Sequence, residues 1–539
     1  MTEFFDRHQA LLQDARKALT ARGFWAPFAE IPSETIYGAG SRAAGQAAFD
    51  ALKGQPFALP GHPEQRRVGA EESPFGGALD ITYPGADPAA LIAAAQGAAP
   101  ALAEATPKAR IGALIEALVR LNRQSFLIAH ATQHTTGQGF AMAFQAGGPH
   151  AQDRALEAVA LAWDEMTRFP DHAIWEKPQG KAAPLRLEKH WTLVPAGVAL
   201  TIGCNTFPTW NGYPGIFASL ATGNPVIVKP HPRAILPLAL TVQVLRAVFA
   251  EAGLPADAIL LAADTAEAPV TQALATDPAV RIIDYTGGPG FGDWLRANAR
   301  QARLFTEEAG VNTVTILGAP DFTGMCDNLA FSLALYSGQM CTAPQTILVP
   351  KGGIDTDLGH KTPDQVGQGL AHALDRLLAD PARAAGVLGA VANPATVARM
   401  DQLRQGARVI RDGRPMLLAA GADDAVAQGE CFGPVAFLVT CADAGAALDR
   451  ATTLARDRGA ITAALYDTDE GRIARAIPAF ARAGVNLSIN LTGAIYVNQS
   501  AAFSDFHVTG ANPAGNACLT DTAFVAPRFT RAMWRRQVA

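Results

Sequence analysis

Residues 198–230 read VALTIGCNTFPTWNGYPGIFASLATGNPVIVKP. Val198–Ile202 is an apolar run that ends in a turn. A helix is predicted over 213–222, and a second apolar run, Pro225–Val228, follows it. The pattern then repeats. A helix from Pro232 to Ala252 sets Ile235, Leu238, Val242, Leu245 and Val248 on one face, with Gly253 and Pro255 at its end. Ile259–Ala262 reads as a strand, Val270–Ala275 as a helix and Ile282–Tyr285 as a further strand. Short apolar strands alternating with amphipathic helices predict a doubly wound parallel sheet. Such a sheet takes ligands at the carboxyl ends of its strands.

Toward the N-terminus, residues 1–20 have helical periodicity and 23–90 are irregular. The irregular stretch reads as a long arm over the main body, with short elements of its own. Asp87–Ile128 reads as two helices, 152–168 as another and 173–193 as a hairpin. A second α/β block starts near Thr313. It has strands at 313–317, 346–349, Ala407–Ile410, Ala436–Val439 and Ala460–Tyr466, and helices near 321–336, 362–379, 444–456 and 470–482. The basic end, with Arg528, Arg531, Arg535 and Arg536, reads as a solvated terminal strand or tail rather than an anion site.

The chain has 539 residues, 49% hydrophobic and 17% charged, an ordinary globular balance that predicts several domains. A net charge of −5 gives no reason to expect nucleic acid or an anionic membrane as partner. The six cysteines, Cys204, Cys326, Cys341, Cys431, Cys441 and Cys518, have no metal-finger or redox-motif spacing. They read as reduced thiols of a cytoplasmic protein. The N-terminus is a charged amphipathic pattern without the layout of a signal peptide, and no apolar run is long enough to span a membrane.

Some residue groups invite chemical readings. In Ser337–Pro344, SGQMCTAP, Cys341 lies between a predicted helix and a predicted strand, where a thiolate could face a cleft. The plain alternative is a small buried apolar residue. His130 and His134 are spaced like helical zinc ligands but lack the accompanying glutamate and further ligands, so they read as surface or helix-end histidines and no metal is expected. The strand Val198–Ile202 ends in GCNTFP rather than in a dinucleotide fingerprint. The next ends in Lys229, His231 and Arg233, three cationic candidates where an adenosine ribose would lie, with no carboxylate beside them to chelate its hydroxyls. His231 and Arg233 could meet a 2′-phosphate, which predicts NADP, with NAD as second choice. The glycines of Tyr285–Gly292 can admit a phosphate at a helix start or simply form a tight turn.

These motifs carry a family resemblance over roughly residues 85 to 515. The chain resembles the aldehyde dehydrogenase superfamily in Asn205 of CNTFP (with Thr206 inserted), Lys229 of VKPHP and the glycine turn Tyr285–Gly292, where Gly288 replaces the usual serine. Further matches are the variant EEAGVN at 307–312, the motif Gly338–Thr342 around Cys341, and Glu430–Pro434. The long arm, EEAGVN and the ending FSDFHVTGANPAGNACLTDTAFVAPRF resemble the PaaN-type branch, linked to aerobic phenylacetate degradation.

The resemblance implies an NADP-binding domain over 85–172 and 194–306, a catalytic domain over 307–500, an N-terminal extension over 1–84, and oligomerisation elements at 173–193 and 517–539. A homodimer or dimer of dimers is expected. Cys341 is then the nucleophile and Asn205 the oxyanion donor, together with the Cys341 main-chain N–H. Glu307, 34 positions before Cys341 and in register with Asn312, is the base in preference to a solvated Glu308. Lys229, His231, Arg233, Thr286, Gly287, Gly288, Gly292, Glu430 and Phe432 are the expected cofactor residues.

The implied reaction oxidises an aldehyde to an acid through a cysteine thioester. The branch implies a semialdehyde carrying a CoA thioester, with any ring-opening hydratase a separate protein. A CoA-acylating dehydrogenase and a catalytically weak NADP-binding protein are the rival readings.

Overall fold

The computed structural model describes residues 3–308, 310–421, 424–517 and 521–538; Cys518 lies outside these. Val198–Ile202 is the middle strand of a five-stranded parallel sheet and is buried throughout. Burial on both faces is why it reads as an unbroken apolar run. Val226–Lys229 and then Ile259–Leu261 lie on one side of it, and Val280–Gly287 and then Arg303–Glu308 on the other. The winding reverses at the middle strand, so a crevice opens at the carboxyl ends. The sequence reading lacked the fifth strand, Arg303–Glu308, which carries both glutamates.

A seven-stranded sheet forms the second block, in the order Arg408–Arg411, Met416–Gly421, Val435–Cys441, Thr346–Pro350, Thr313–Ile316, Thr462–Tyr466, Asn486–Ile489. All its pairings are parallel except the first. Met416–Gly421, Asn486–Ile489 and the helices Pro381–Leu388 and Pro394–Gly406 were not foreseen. The expected hairpin forms from His172–Gln179 and Ala182–Pro195, and Phe529–Gln537 adds a third antiparallel strand. No helix among the described residues is long and apolar enough to cross a membrane.

The N-terminal arm is built in more deeply than a surface covering. Glu3–Ala21 lies so close to Pro107–Arg123 that a Cβ on Gly112 would come within 2.3 Å of the Phe5 nitrogen. Glu71 is buried, accepts a bond from Tyr83 Oη, and accepts the Ile235 and Leu236 N–H groups at 2.5 and 3.0 Å. It therefore caps the helix Leu236–Glu251, which starts four residues later than Pro232. Burial pushes the Glu71 carboxyl up to about 7. His62 Nε2 accepts the Leu261 N–H at 2.9 Å, tying the arm to the sheet edge.

His130 is buried, and both His130 and His134 stack on Phe49. Both pack against the arm; His134, in the last turn of Ser125–Thr136, is a helix-end histidine as expected, and His130 is not a surface one. The basic end is an exposed terminal strand at Arg535 and Arg536, as expected, but not at Arg528. Arg528 is fully buried and forms a two-pronged pair with Asp284 at 2.6 and 2.8 Å.

Candidate active site

Cys341 follows an unusual turn. The helix expected to reach 336 stops at Ala334, because Tyr336, Ser337 and Gly338 all have φ near +50 to +64°. Left-handed backbone at two non-glycine residues is strained and has to be held by its surroundings. Ser337 Oγ donates to the Leu388 carbonyl at 2.9 Å, and a Cβ on Gly338 would sit 2.5 Å from the Gly433 carbonyl oxygen. Asn312 fixes the far side. Its Nδ2 donates to the Cys341 and Ala343 carbonyls at 2.8 and 3.0 Å, while its Oδ1 accepts the Ile461 and Thr462 N–H groups.

Glu307, at the end of the fifth strand, is 1% exposed. Its Oε1 accepts from Asn211 Nδ2 at 2.9 Å and contacts His507 Nε2 at 3.0 Å. The same His507 nitrogen lies 3.7 Å from Cys341 Sγ. Burial pushes the Glu307 carboxyl up, but His507, with Cys341 and Arg154, more than offsets this and holds it below the usual range. Burial raises the Cys341 thiol well above its ordinary value, and the neighbouring Glu307 charge adds to the effect.

A cleft of about 890 Å³ runs from this pair to the carboxyl edge of the five-stranded sheet. Asn205, Lys229, His231, Thr286, Gly287, Gly288, Glu430 and Phe432 line it together with Glu307 and Cys341. The Asn205 Oδ1 atom is buried without a hydrogen-bond partner. Burial pushes the Glu430 carboxyl up to about 8, against the pull of Arg399.

The structure corrects several expectations. Lys229 is not a free cation: it is buried and pairs with Asp264 at 2.7 Å, from beyond the third strand. Burial, with Lys229 and Arg233 beside it, lowers His231 to about 4, so it is neutral at pH 7. Arg233 is exposed, and its Nη1 donates to the Ala392 carbonyl at 3.4 Å. Gly292 does not line the cleft. It packs under Glu308, whose Oε1 a Cβ there would meet at 2.2 Å. Glu308 itself is buried rather than solvated, and Arg296 binds both its oxygens at 2.6 and 3.0 Å.

His507, Asn211 and Asp264 escaped the sequence reading. The one available signal was an imidazole within FSDFHVTG, a stretch used only as a whole.

The aldehyde dehydrogenase family model matches residues 74–511. The chain belongs to the aldehyde dehydrogenase family. A crystal structure of an NAD-dependent aldehyde dehydrogenase from Burkholderia multivorans is 50% identical, with a TM-score of 0.98, covering 100% of this chain and 99% of that one. An NADP-dependent glyceraldehyde-3-phosphate dehydrogenase from Bacillus halodurans C-125, solved with NADP, shares the fold. It has a TM-score of 0.66 at 19% identity over 88% of this chain and 96% of that one. A 3,4-dehydroadipyl-CoA semialdehyde dehydrogenase from Aromatoleum evansii is 25% identical over 332 residues, 54% of this chain and 60% of that protein. The chain spans three-fifths or less of the curated relatives it matches. For this family member, the motif order read from the sequence and the family match coincide.

Proposed function

We propose that the protein oxidises an aldehyde to a carboxylic acid with a nicotinamide dinucleotide. The observation that carries this reading is one cleft with Cys341 and Glu307 at its inner end and the carboxyl edge of a doubly wound sheet at its outer end. The residues present fit the cofactor. Gly288 caps the helix Pro289–Asn298, and a Cβ there would meet nothing within 4 Å, which leaves the helix start open to a phosphate. Glu430 and Phe432 would hold the nicotinamide end, and the dinucleotide supplies the hydride acceptor.

The chain's own residues do the rest. Cys341 sulfur bonds to the aldehyde carbon as its proton passes to the neighbouring Glu307. Asn205 and the Cys341 main-chain N–H take the developing oxyanion. Loss of hydride from that carbon leaves a thioester on Cys341. Glu307, its proton returned to solvent, then takes a proton from water as the water oxygen attacks the thioester carbon. The carbon–sulfur bond breaks, the acid leaves, and the thiol regains a proton.

On the substrate, we infer a CoA-linked semialdehyde from aromatic ring cleavage, as in the PaaN-type branch. The support is the arm, EEAGVN, the FSDFHVTG ending and the name of the Aromatoleum relative. Glu307 favours hydrolysis over acyl transfer to CoA. On the cofactor, two of the three expected cations no longer count as free, and the half-identical structure is named NAD-dependent. These favour NAD; Arg233, exposed beside the cleft rather than lining it, is the remaining cation of the three for NADP. For assembly, the exposed Ile174, Trp175, Leu185, Met533 and Trp534 on the three-stranded sheet support a homo-oligomeric contact there.

The test is a stopped-flow burst of reduced cofactor with free aldehydes and with CoA-linked semialdehydes. One equivalent per site is expected in the wild type and none in Cys341→Ala. Turnover that strictly requires added CoA, or an undiminished burst in Cys341→Ala, would overturn the reading.

A further inference from the structure

Glu307 raises a physical problem that its role as base does not solve. A carboxylate that is 1% exposed should take up a proton unless donors face its charge. The Cys341 thiol is one donor, and two nitrogen donors both reach the same oxygen. Asn211, on the helix Pro208–Ala221, and His507, from the loop beyond Asn486–Ile489, meet at Oε1 at 2.9 and 3.0 Å. The second oxygen, Oε2, is buried with no hydrogen-bond partner.

We propose that His507 is a positioning residue that donates from Nε2 to one oxygen of Glu307, leaving the other oxygen bare to take the proton of the hydrolytic water. The inference rests on the hydrolytic reading above.

The surroundings of the ring match this role. Nδ1 of His507 is buried with no acceptor to take a proton, whereas Nε2 faces the Glu307 oxygen, which places the ring proton on Nε2. The edge of the ring meets Trp210 at 4.5 Å and 79°. Trp210 in turn lies under the Arg154 guanidinium at 3.9 Å and donates from Nε1 to His150 Nδ1 at 3.4 Å. His507 thus has little freedom to turn away. The titratable and charged groups facing Glu307 are His507, Cys341, Arg154 and Cys204. Of these, His507 and Cys341 hydrogen-bond Glu307, and His507 does so without lining the cleft.

The experiment compares wild type, His507→Leu and His507→Gln between pH 5 and 9, reading the burst of reduced cofactor and the steady-state rate separately. His507→Leu should keep its burst while kcat at pH 7 falls on the order of tenfold. The acid limb of kcat should move up by about one pH unit or more, because the unpinned carboxyl holds its proton longer. His507→Gln, which keeps a donor near the Nε2 position, should recover most of the rate and return the limb toward wild type.

Coincident acid limbs in wild type and His507→Leu, with the burst intact, would overturn the inference. So would loss of the burst in a folded His507→Leu with the limb unmoved, since His507 would then act on the thiol. A wild type without any burst would instead sink the underlying functional reading.

Discussion

Glu307 and Glu308 are neighbours on one strand and point to opposite faces, and their surroundings differ in kind. Both are buried, at 1% and 2% exposure. Glu308 has each oxygen matched by one guanidinium, with Gly292 making room beneath it. It is a satisfied ion pair anchoring a helix to a strand. Glu307 has one oxygen doubly served and the other bare. A structural carboxylate is fully partnered; a base must keep an unpartnered atom in a site that still holds its charge.

Substitutions can break this contrast. Glu307→Gln should slow the burst without abolishing it, the thiol proton then leaving to water, and lower steady-state turnover by about 10²–10⁴, the usual size of a lost general base. An equal loss of burst and turnover would place the residue in the thiol step alone. Arg233→Ala should lower kcat/KM for NADP by about tenfold, one charge-assisted contact to a 2′-phosphate, and leave NAD within about twofold. Equal losses for both cofactors would remove Arg233 from selectivity.

Glu430 gives the pH test. Its carboxyl is raised to about 8, so its acceptor charge appears only as the pH climbs through that value. The KM for the nucleotide should fall between pH 7 and 9 in wild type, and Glu430→Gln should flatten that slope. Smallest is Glu308→Gln. Arg296 is 46% exposed and finds water when its partner is neutralised, so stability should drop by only about 1–2 kcal/mol. Turnover should hold within about threefold. A hundredfold loss there would erase the distinction between the two glutamates.

The two halves of the chain were not equally legible. The inner strands Val198–Ile202 and Val226–Lys229 of the first sheet are buried throughout, and Val198–Ile202 could be placed from sequence to the residue, whereas the edge strand Arg303–Glu308 is mostly polar and has no such signature. Met416–Gly421 ends in partly exposed positions and Asn486–Ile489 is half-buried along an edge, so neither has that signature. In the candidate site, Cys341 and Glu307 were legible as candidates because motif and spacing carry them, and both line one cleft. His507 was missed because it meets Glu307 from 200 positions away, a closeness that only tertiary structure creates. The cations at the ribose edge were miscounted for the same reason: Asp264 reaches Lys229 across the sheet. Composition gives charge, whereas pairing and burial decide how much of it a ligand meets.

The pair between Arg528 and Asp284 has a mechanical consequence. Asp284 sits on the strand that runs into the glycine turn, and Arg528 sits where the last antiparallel strand begins. Gly215 is hemmed in by the same carboxylate, at 2.5 Å from any Cβ it could carry. Strain applied to the outer ribbon Phe529–Gln537, by a neighbouring subunit or a bulky fusion, has a direct route through this buried pair to the strand whose end lines the cleft. Grip on the dinucleotide should respond to what docks on a surface that never touches it.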